Sequence, residues 1–437
     1  MIAENALVVL FVVLLAITGF AYVLTEYDLV HPFSIVASVM SISAFLAMIS
    51  ADRWNLYMGV NAALLVITSV LVFGIACIVT DAYTKNNYYK SLGSRLCVER
   101  YHIPVRCFIA MCLIMAVFSY LQFQETYAAS LQFGNKQGYV GMIKTVRYAI
   151  ERGAFRFSRW RTYENIIIET FVCCGIFTTF SCLLGNKVRS AIPEIGKTFL
   201  LLLCYVPSLI LSTGRESLLR IFVFSLVTGA ILFQKRKAFS IQAEKVLFRY
   251  MVLGGAIFFL LFLGLGFFTG KVSLSGRGPL TILAHYVGLS MPAFSYFIEN
   301  HVFLETPYIG GTSLINIYGN LTKLGMELPS PPVFLEFVQF DGINTNVYTM
   351  MRRYIADYGI IGMHLVLVIM GIFYSAFYNF VRFRSRSFWI LIFYGTILMP
   401  LFFSMNDGRF LEYTVSTATF YEIISIYITC KLCIYKR

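Results

Sequence analysis

Runs of about twenty apolar residues recur from Leu7 to Cys430, and this recurrence restricts the fold more than any other feature of the chain. Twenty residues of helix cross a hydrocarbon core of roughly 30 Å. In lipid every backbone amide must be satisfied within its own segment, so such runs are helices. Composition agrees: 58% of the 437 residues are hydrophobic and 13% are charged, about half the charged fraction of a soluble domain. The spacing predicts an all-α polytopic membrane protein, residues 1–437 forming a single integral membrane domain. Spans are expected at 6–24, 33–50, 57–79, 108–121, 165–184, 198–211, 217–234, 250–269, 357–380, 389–403 and 412–430, about eleven in all. The N-terminal run lacks basic residues before it and a small-residue cleavage site after it, so it reads as a span and not as a cleaved signal.

An odd number of spans puts the termini on opposite sides. Lys and Arg number 19 in the 79 positions of loops 25–32, 80–107, 185–197, 235–249, 381–388 and 431–437. They number 15 in the 149 positions of loops 51–56, 122–164, 212–216, 270–356 and 404–411. The denser set is expected on the cytoplasmic side, with the N-terminus periplasmic and the C-terminus cytoplasmic. The net charge of +13 thus reflects topology and not a nucleic-acid footprint. The ten cysteines fall in spans or cytoplasmic segments, so no disulfide framework is expected. Cys430 and Cys433 form a lone CxxC with no second pair nearby in sequence, which argues against a metal there.

Two external segments stand out. Segment 122–164 is basic, and Ile143, Val146, Ile150, Ala154 and Phe157 recur at helical spacing, as in an amphipathic helix lying in the membrane interface. It either grips anionic headgroups or cradles an anionic lipid-linked substrate. Segment 270–356 is the longest external loop. Its stretch Thr281 to Ile298, interrupted by His285, Gly288 and Pro292, suits a re-entrant or interfacial helix. Pro329, Pro331 and Pro332 predict an irregular loop beyond it. Loops of this length are usually functional. No internal repeat relates the two halves, unlike many transporters.

Chemistry is sought among ionisable residues at the external helix ends. The short turn Ser212-Thr-Gly-Arg215-Glu216 holds an arginine at the membrane surface, where it either snorkels or binds substrate. Ser275-Gly-Arg277-Gly-Pro279 offers a second. Asn346-Val-Tyr348-Thr349-Met-Met-Arg352-Arg353-Tyr354-Ile-Ala-Asp357-Tyr358-Gly359 leads into a span, and Asn406-Asp407-Gly408-Arg409 is the last external turn. Arginines with few grouped carboxylates suit metal-independent neutralisation of a pyrophosphate by bidentate guanidinium contacts. A general base would be a His, Asp or Glu on the same side, with His301, His285, Glu305 and Asp357 as candidates.

These residues bring a family into view. The chain resembles the bacterial oligosaccharide repeat-unit polymerases (O-antigen polymerases, the Wzy family) over most of its length. The resemblance is carried by Tyr27-Asp-Leu-Val-His-Pro32-Phe-Ser with Arg53-Trp54-Asn55, by Gly214-Arg215, by Pro307-Tyr-Ile-Gly-Gly-Thr-Ser, and by Asn346 through Gly359. Glu216 follows the glycine–arginine pair where many members have a small residue, and Glu327-Leu-Pro329-Ser replaces an isoleucine–proline–arginine step. The resemblance implies a GT-C-like glycosyltransferase that joins undecaprenyl-pyrophosphate-linked oligosaccharides into O-antigen or a related polysaccharide, without a cofactor, at the inner membrane. It implies pyrophosphate contacts from Arg215, Arg277, Arg352, Arg353, Arg147 and Arg409. Glycan contacts from Asn346, Tyr348 and Tyr354 and a base among Asp357, His301 and Glu305 would complete the site. Partners would be the lipid-linked donor and acceptor, membrane lipid and a chain-length regulator. An O-antigen ligase and a lipid-linked oligosaccharide flippase are the alternatives.

Overall fold

The computed structural model describes residues 6–88, 98–185, 191–212, 216–237, 240–268, 279–300, 308–328, 335–385 and 387–436. The chain is an all-α polytopic membrane protein: among the described residues, ten helices are long and apolar enough to cross a membrane. Nine of them overlap expected spans. The tenth, Leu280–Asn300, falls where a re-entrant or interfacial helix is expected. It stays helical because its interruptions are absorbed locally, by a π-helical turn at Ala284–Gly288. There Gly288 lies against the backbone of Leu46 and Ala47, and a Cβ would come within 2.9 Å of both. The expected span 389–403 is broken into Phe388–Ile397 and Met399–Phe403, with Pro400 in the first turn of the second piece. The expected span 412–430 likewise becomes the short helix Phe410–Thr414 and the 17-residue helix Thr417–Cys433.

The chain divides into two compact units. The first comprises Met1–Gly93, Arg277–Ser385 and Ile397–Thr417. Helices Leu7–Leu24 and Pro32–Ile49 run antiparallel, joined at each turn by Thr18–Ser41 (2.8 Å), Tyr22–Ser38 (2.9 Å) and Thr25–Ser34 (3.1 Å) hydroxyl pairs. In lipid, where apolar surface gives no net drive to associate, small residues and such hydrogen bonds do the joining. The Val60–Tyr88 and Met351–Asn379 helices run parallel. Ser69 reaches Met363 Sδ at 3.3 Å, Cys77 reaches the Gly371 carbonyl at 3.6 Å, and Ser375 bonds Asp81. Gly371 permits this approach, because a Cβ there would meet Phe73 O and Ala76 Cβ at 2.8 Å. Gly371→Ala is therefore expected to cost about 1–3 kcal/mol by overpacking. Thermal unfolding in detergent checks this; an unchanged midpoint would show that the helices part without penalty.

At one end of this unit a buried polar network joins the turn after the first helix to the ends of the two parallel helices. Asp28 Oδ2 accepts from Tyr378 (2.6 Å) and Arg382 Nη1 (2.7 Å), and Asp28 Oδ1 caps the Val30 amide at 3.1 Å. His31 Nδ1 accepts from the Phe33 amide that opens the next helix, which leaves Nε2 to carry the hydrogen toward Asp81 Oδ2 at 2.9 Å. Asn379 donates to Asp81 at 2.7 Å. Asp28, His31, Asp81 and Arg382, which come from three of the segments expected on the cytoplasmic side, are thus neighbours here.

The second unit comprises Ser94–Gly276, Arg386–Thr396 and Ala418–Arg437. Its Tyr101–His102 strand pairs antiparallel with Tyr435–Lys436. The basic segment forms the amphipathic helix Tyr139–Glu151. Its buried face is Met142, Val146 and Ala149, turned toward the Val105–Gln132 helix and not the expected face through Ile150, Ala154 and Phe157. Ala154 and Phe157 lie past the helix, which stops before Gly153 with its positive φ of 70°. Arg161 is buried at the head of the next helix. It donates to Gln122 O (3.3 Å), Thr126 Oγ1 (2.8 Å) and Leu211 O (2.6 Å), and stacks 3.7 Å from the Phe157 ring. The intramembrane charges Arg220 and Glu169 pair at 3.5 Å. The CxxC thiols have thiol neighbours that the sequence order hides: Cys430 contacts Cys174 and Cys433 contacts Cys107. No metal-binding group of three or more ligands forms among the described residues.

Candidate functional site

The described parts of the expected loop 270–356 contain regular elements. Pro329, Pro331 and Pro332 lie outside the described residues, but a helix, Ile315–Lys323, precedes them and a hairpin follows. The hairpin pairs Val338 with Thr345 and Phe340 with Ile343 around Asp341-Gly342. Gly342 has φ +69°, as this two-residue turn requires. The Asp341 amide lies 3.4 Å from Trp54 O, which anchors the hairpin on the short Ala51–Trp54 helix.

Beyond the hairpin the chain enters the Met351–Asn379 helix, and consecutive arginines there take separate partners. Arg352 is fully buried. Its Nε and Nη2 donate to Glu336 Oε1 at 3.0 and 2.7 Å, and Nη2 also to Oε2 at 2.9 Å. The guanidinium lies 3.9 Å from the Phe297 ring centroid and 5.6 Å from that of Tyr348. Tyr348 in turn donates to the Glu336 carbonyl at 3.1 Å. Burial, then the Glu336 charge, push its phenol well above the usual tyrosine range.

Arg353 donates from Nε to Asp407 Oδ1 at 2.6 Å and from Nη2 to Oδ2 at 3.1 Å, while Nη1 holds Thr312 O at 2.7 Å. Arg409 Nε reaches the same carboxylate at 3.3 Å. Burial pushes the Asp407 carboxyl up, but Arg353, Arg409 and the Gly408 amide outweigh it and hold it below the usual aspartate range. One turn along, Asp357 accepts the Thr312 amide at 3.0 Å and the Ser313 amide at 2.7 Å. The Gly310-Gly311-Thr312-Ser313 turn, opened by a positive φ of 81° at Gly310, thus presents its amides to an anion as a nest does. Ser313 Oγ and the Tyr358 hydroxyl lie 2.9 Å apart. The helix then kinks at Gly359 (φ 67°, ψ −177°), which frees the first turns to tilt toward this loop.

The structure therefore gathers Arg352, Arg353, Arg409, Tyr348, Tyr354 and Asp357 into one end of the first unit. Tyr354 is fully buried, its hydroxyl accepting the Phe410 amide at 3.2 Å. Asn346 is half-buried between hairpin and helix. Arg147 belongs to the second unit, where it pairs with Glu151 at 3.3 Å. Arg215, Arg277, His301 and Glu305 lie outside the described residues. His285 sits in the π-turn beside Tyr286, with ring centroids 5.3 Å apart.

Sequence reasoning missed two residues here. Glu336 is the one charge in the apolar stretch from Leu328 to Phe340, and an isolated carboxylate in such a run was the available signal. Asp407 sits in a turn read for its arginine. The hairpin was signalled by Asp341-Gly342 between alternating apolar residues.

Fold and site define a multi-pass α-helical membrane protein whose ordered loop and arginine–carboxylate pairs gather at one end of its first unit. Comparison with family models, curated proteins and solved structures finds no match to the chain.

Proposed function

We propose that this protein is an oligosaccharide repeat-unit polymerase, a GT-C-like, metal-independent glycosyltransferase of the bacterial inner membrane. Its donor is a growing glycan on undecaprenyl pyrophosphate and its acceptor a repeat unit on the same lipid. The acceptor hydroxyl attacks the donor anomeric carbon at the periplasmic face and undecaprenyl pyrophosphate leaves. In this reading the N-terminus is periplasmic and the C-terminus cytoplasmic.

One observation carries the reading. The two stretches that carry the family resemblance in the long loop, Gly310–Ser313 and Asn346–Gly359, lie some forty residues apart yet are hydrogen-bonded to each other through Asp357 and Arg353. A stretch that mattered only for spanning would have no reason to build that loop. Arg352 and Arg353 are already paired with carboxylates, so in this reading Arg215 is the first arginine to test as a pyrophosphate contact.

Deleting the gene in its host is expected to collapse the surface polysaccharide ladder to core plus one repeat unit, because flipping and ligation continue without extension. Arg215→Ala restored to that strain should leave polymer reduced by about tenfold or more at normal protein level, the scale of a lost charge-assisted contact. Loss of every repeat, the first included, would instead indicate a ligase or flippase. An unaltered ladder from the deletion strain would refute the polymerase.

A further inference from the structure

The pairing of Arg352 with Glu336 inverts the roles that residue types suggest. Arg352 has no exposed side-chain surface, whereas 18% of the Glu336 side chain is exposed. The guanidinium spends Nε and Nη2 on the carboxylate, and Phe297 covers its face at 3.9 Å. A phosphate cannot reach it without first expelling Glu336. What this part of the loop presents outward is a carboxylate held from behind by three charge-assisted hydrogen bonds.

The surroundings fix that carboxylate and leave it room. Tyr348 holds the Glu336 carbonyl at 3.1 Å, and Leu335 on one side is buried. Phe337 on the other side is 65% exposed. An exposed aromatic face beside an anchored carboxylate suits the apolar face and hydroxyl edge of a sugar. Arg352 Nη1 and Thr349 Oγ1 are both buried without a hydrogen-bond partner among the described residues, so polar capacity in this cluster is unspent.

We propose that Glu336 is the general base of the transfer and that Arg352 is its positioning residue; this rests on the polymerase reading above. The acceptor hydroxyl gives its proton to a Glu336 carboxylate oxygen as its own oxygen bonds the donor anomeric carbon. The bond from that carbon to the pyrophosphate oxygen breaks, and the electron pair leaves with the lipid pyrophosphate. Glu336 then returns the proton to water. Arg352 touches neither substrate; it sets the direction of the carboxylate.

The test uses full-length protein in nanodiscs with lipid-linked repeat units extracted from a host lacking this gene. Glu336→Gln keeps the shape of the side chain but removes the counter-charge of the buried Arg352, so it should melt below the wild type, and turnover is compared at a temperature where both are folded. The substitution is expected to lower kcat by about 10²–10⁴-fold, the usual worth of a positioned base, with acceptor KM little changed. Glu336→Ala should regain about tenfold in rate with added formate, which supplies the missing carboxylate, without a matching rise in melting midpoint. A midpoint that rises in step with the rate would mean that formate only restores the Arg352 pair and would overturn the assignment. Arg352→Lys, which keeps the charge but loses the fork, should reduce kcat and not KM. Wild-type turnover in Glu336→Gln overturns the assignment while leaving the polymerase intact. So does a loss confined to KM with no formate rescue. A wild-type protein that builds no polymer removes the reading and this assignment together.

Discussion

Replacing Asp407 with alanine is expected to destabilise the protein by about 3–5 kcal/mol, the cost of leaving a buried partner charge unpaired. Arg353 is buried and has two bonds to that carboxylate, at 2.6 and 3.1 Å. It cannot turn to water, because Nη1 is committed to Thr312 O at 2.7 Å. The loss should spread: Thr312 is the residue whose amide Asp357 caps, so the Gly310–Ser313 turn loosens with Arg353. Unfolding in detergent, followed by temperature, gives the stability. A variant that melts within about 0.5 kcal/mol of the wild type, the range of an ordinary surface substitution, would show that Arg353 finds another acceptor.

The same pair carries a pH dependence of definite sign. The Asp407 carboxyl sits below its usual value of 3.8 in the folded protein. A group depressed on folding contributes stability that is fully present above its unfolded value and lost as the pH falls through the folded one. This part of the structure should therefore weaken from pH 3.8 downward and not in the neutral range. Asp407→Asn should be less stable at pH 7 yet show a shallower decline in acid.

How much of this was legible in the sequence follows from what each feature depends on. Spans depend on local hydropathy, and Leu7–Leu24 or Pro32–Ile49 can be read nearly to the residue. Leu280–Asn300 could not, because its continuity relies on Gly288 resting against a helix more than 240 residues earlier. The arginines at 352, 353 and 409 were visible as residue types. Their partners were not, since Glu336 and Asp407 reach them across 16 and 54 positions and pairing is a property of the packed loop. Asp357 was likewise visible as a carboxylate at a helix start, but the Thr312 and Ser313 amides it accepts come from 45 and 44 positions earlier and could not be read from its residue type. The amphipathic register failed for a related reason. Periodicity locates a helix but does not say which neighbour it will turn toward, and Met142, Val146 and Ala149 were chosen by the Val105–Gln132 helix.

The second large effect is expected at the opposite end of the same long helix. Asp28→Ala removes a carboxylate partner of Arg382, at 2.7 Å, whose side chain is 9% exposed, and again should cost about 3–5 kcal/mol. It also strips the acceptor from the Tyr378 hydroxyl and the cap from the Val30 amide. The turn it stabilises is itself costly, since Glu26 and Tyr27 both hold positive φ, at 59° and 64°, a conformation that disfavours side chains by roughly 1–2 kcal/mol each. The double variant Asp28→Ala with Arg382→Met separates the two contributions. If the buried arginine charge dominates, removing it should recover most of the lost stability. If the strained turn dominates, the double variant should stay as unstable as the single one. Recovery would mean that the Met351–Asn379 helix is held at each end by an arginine–aspartate pair, Arg353 with Asp407 and Arg382 with Asp28. The kink at Gly359 lies between those two pins, next to Asp357, so the loop-bearing first turns can be positioned apart from the spanning remainder.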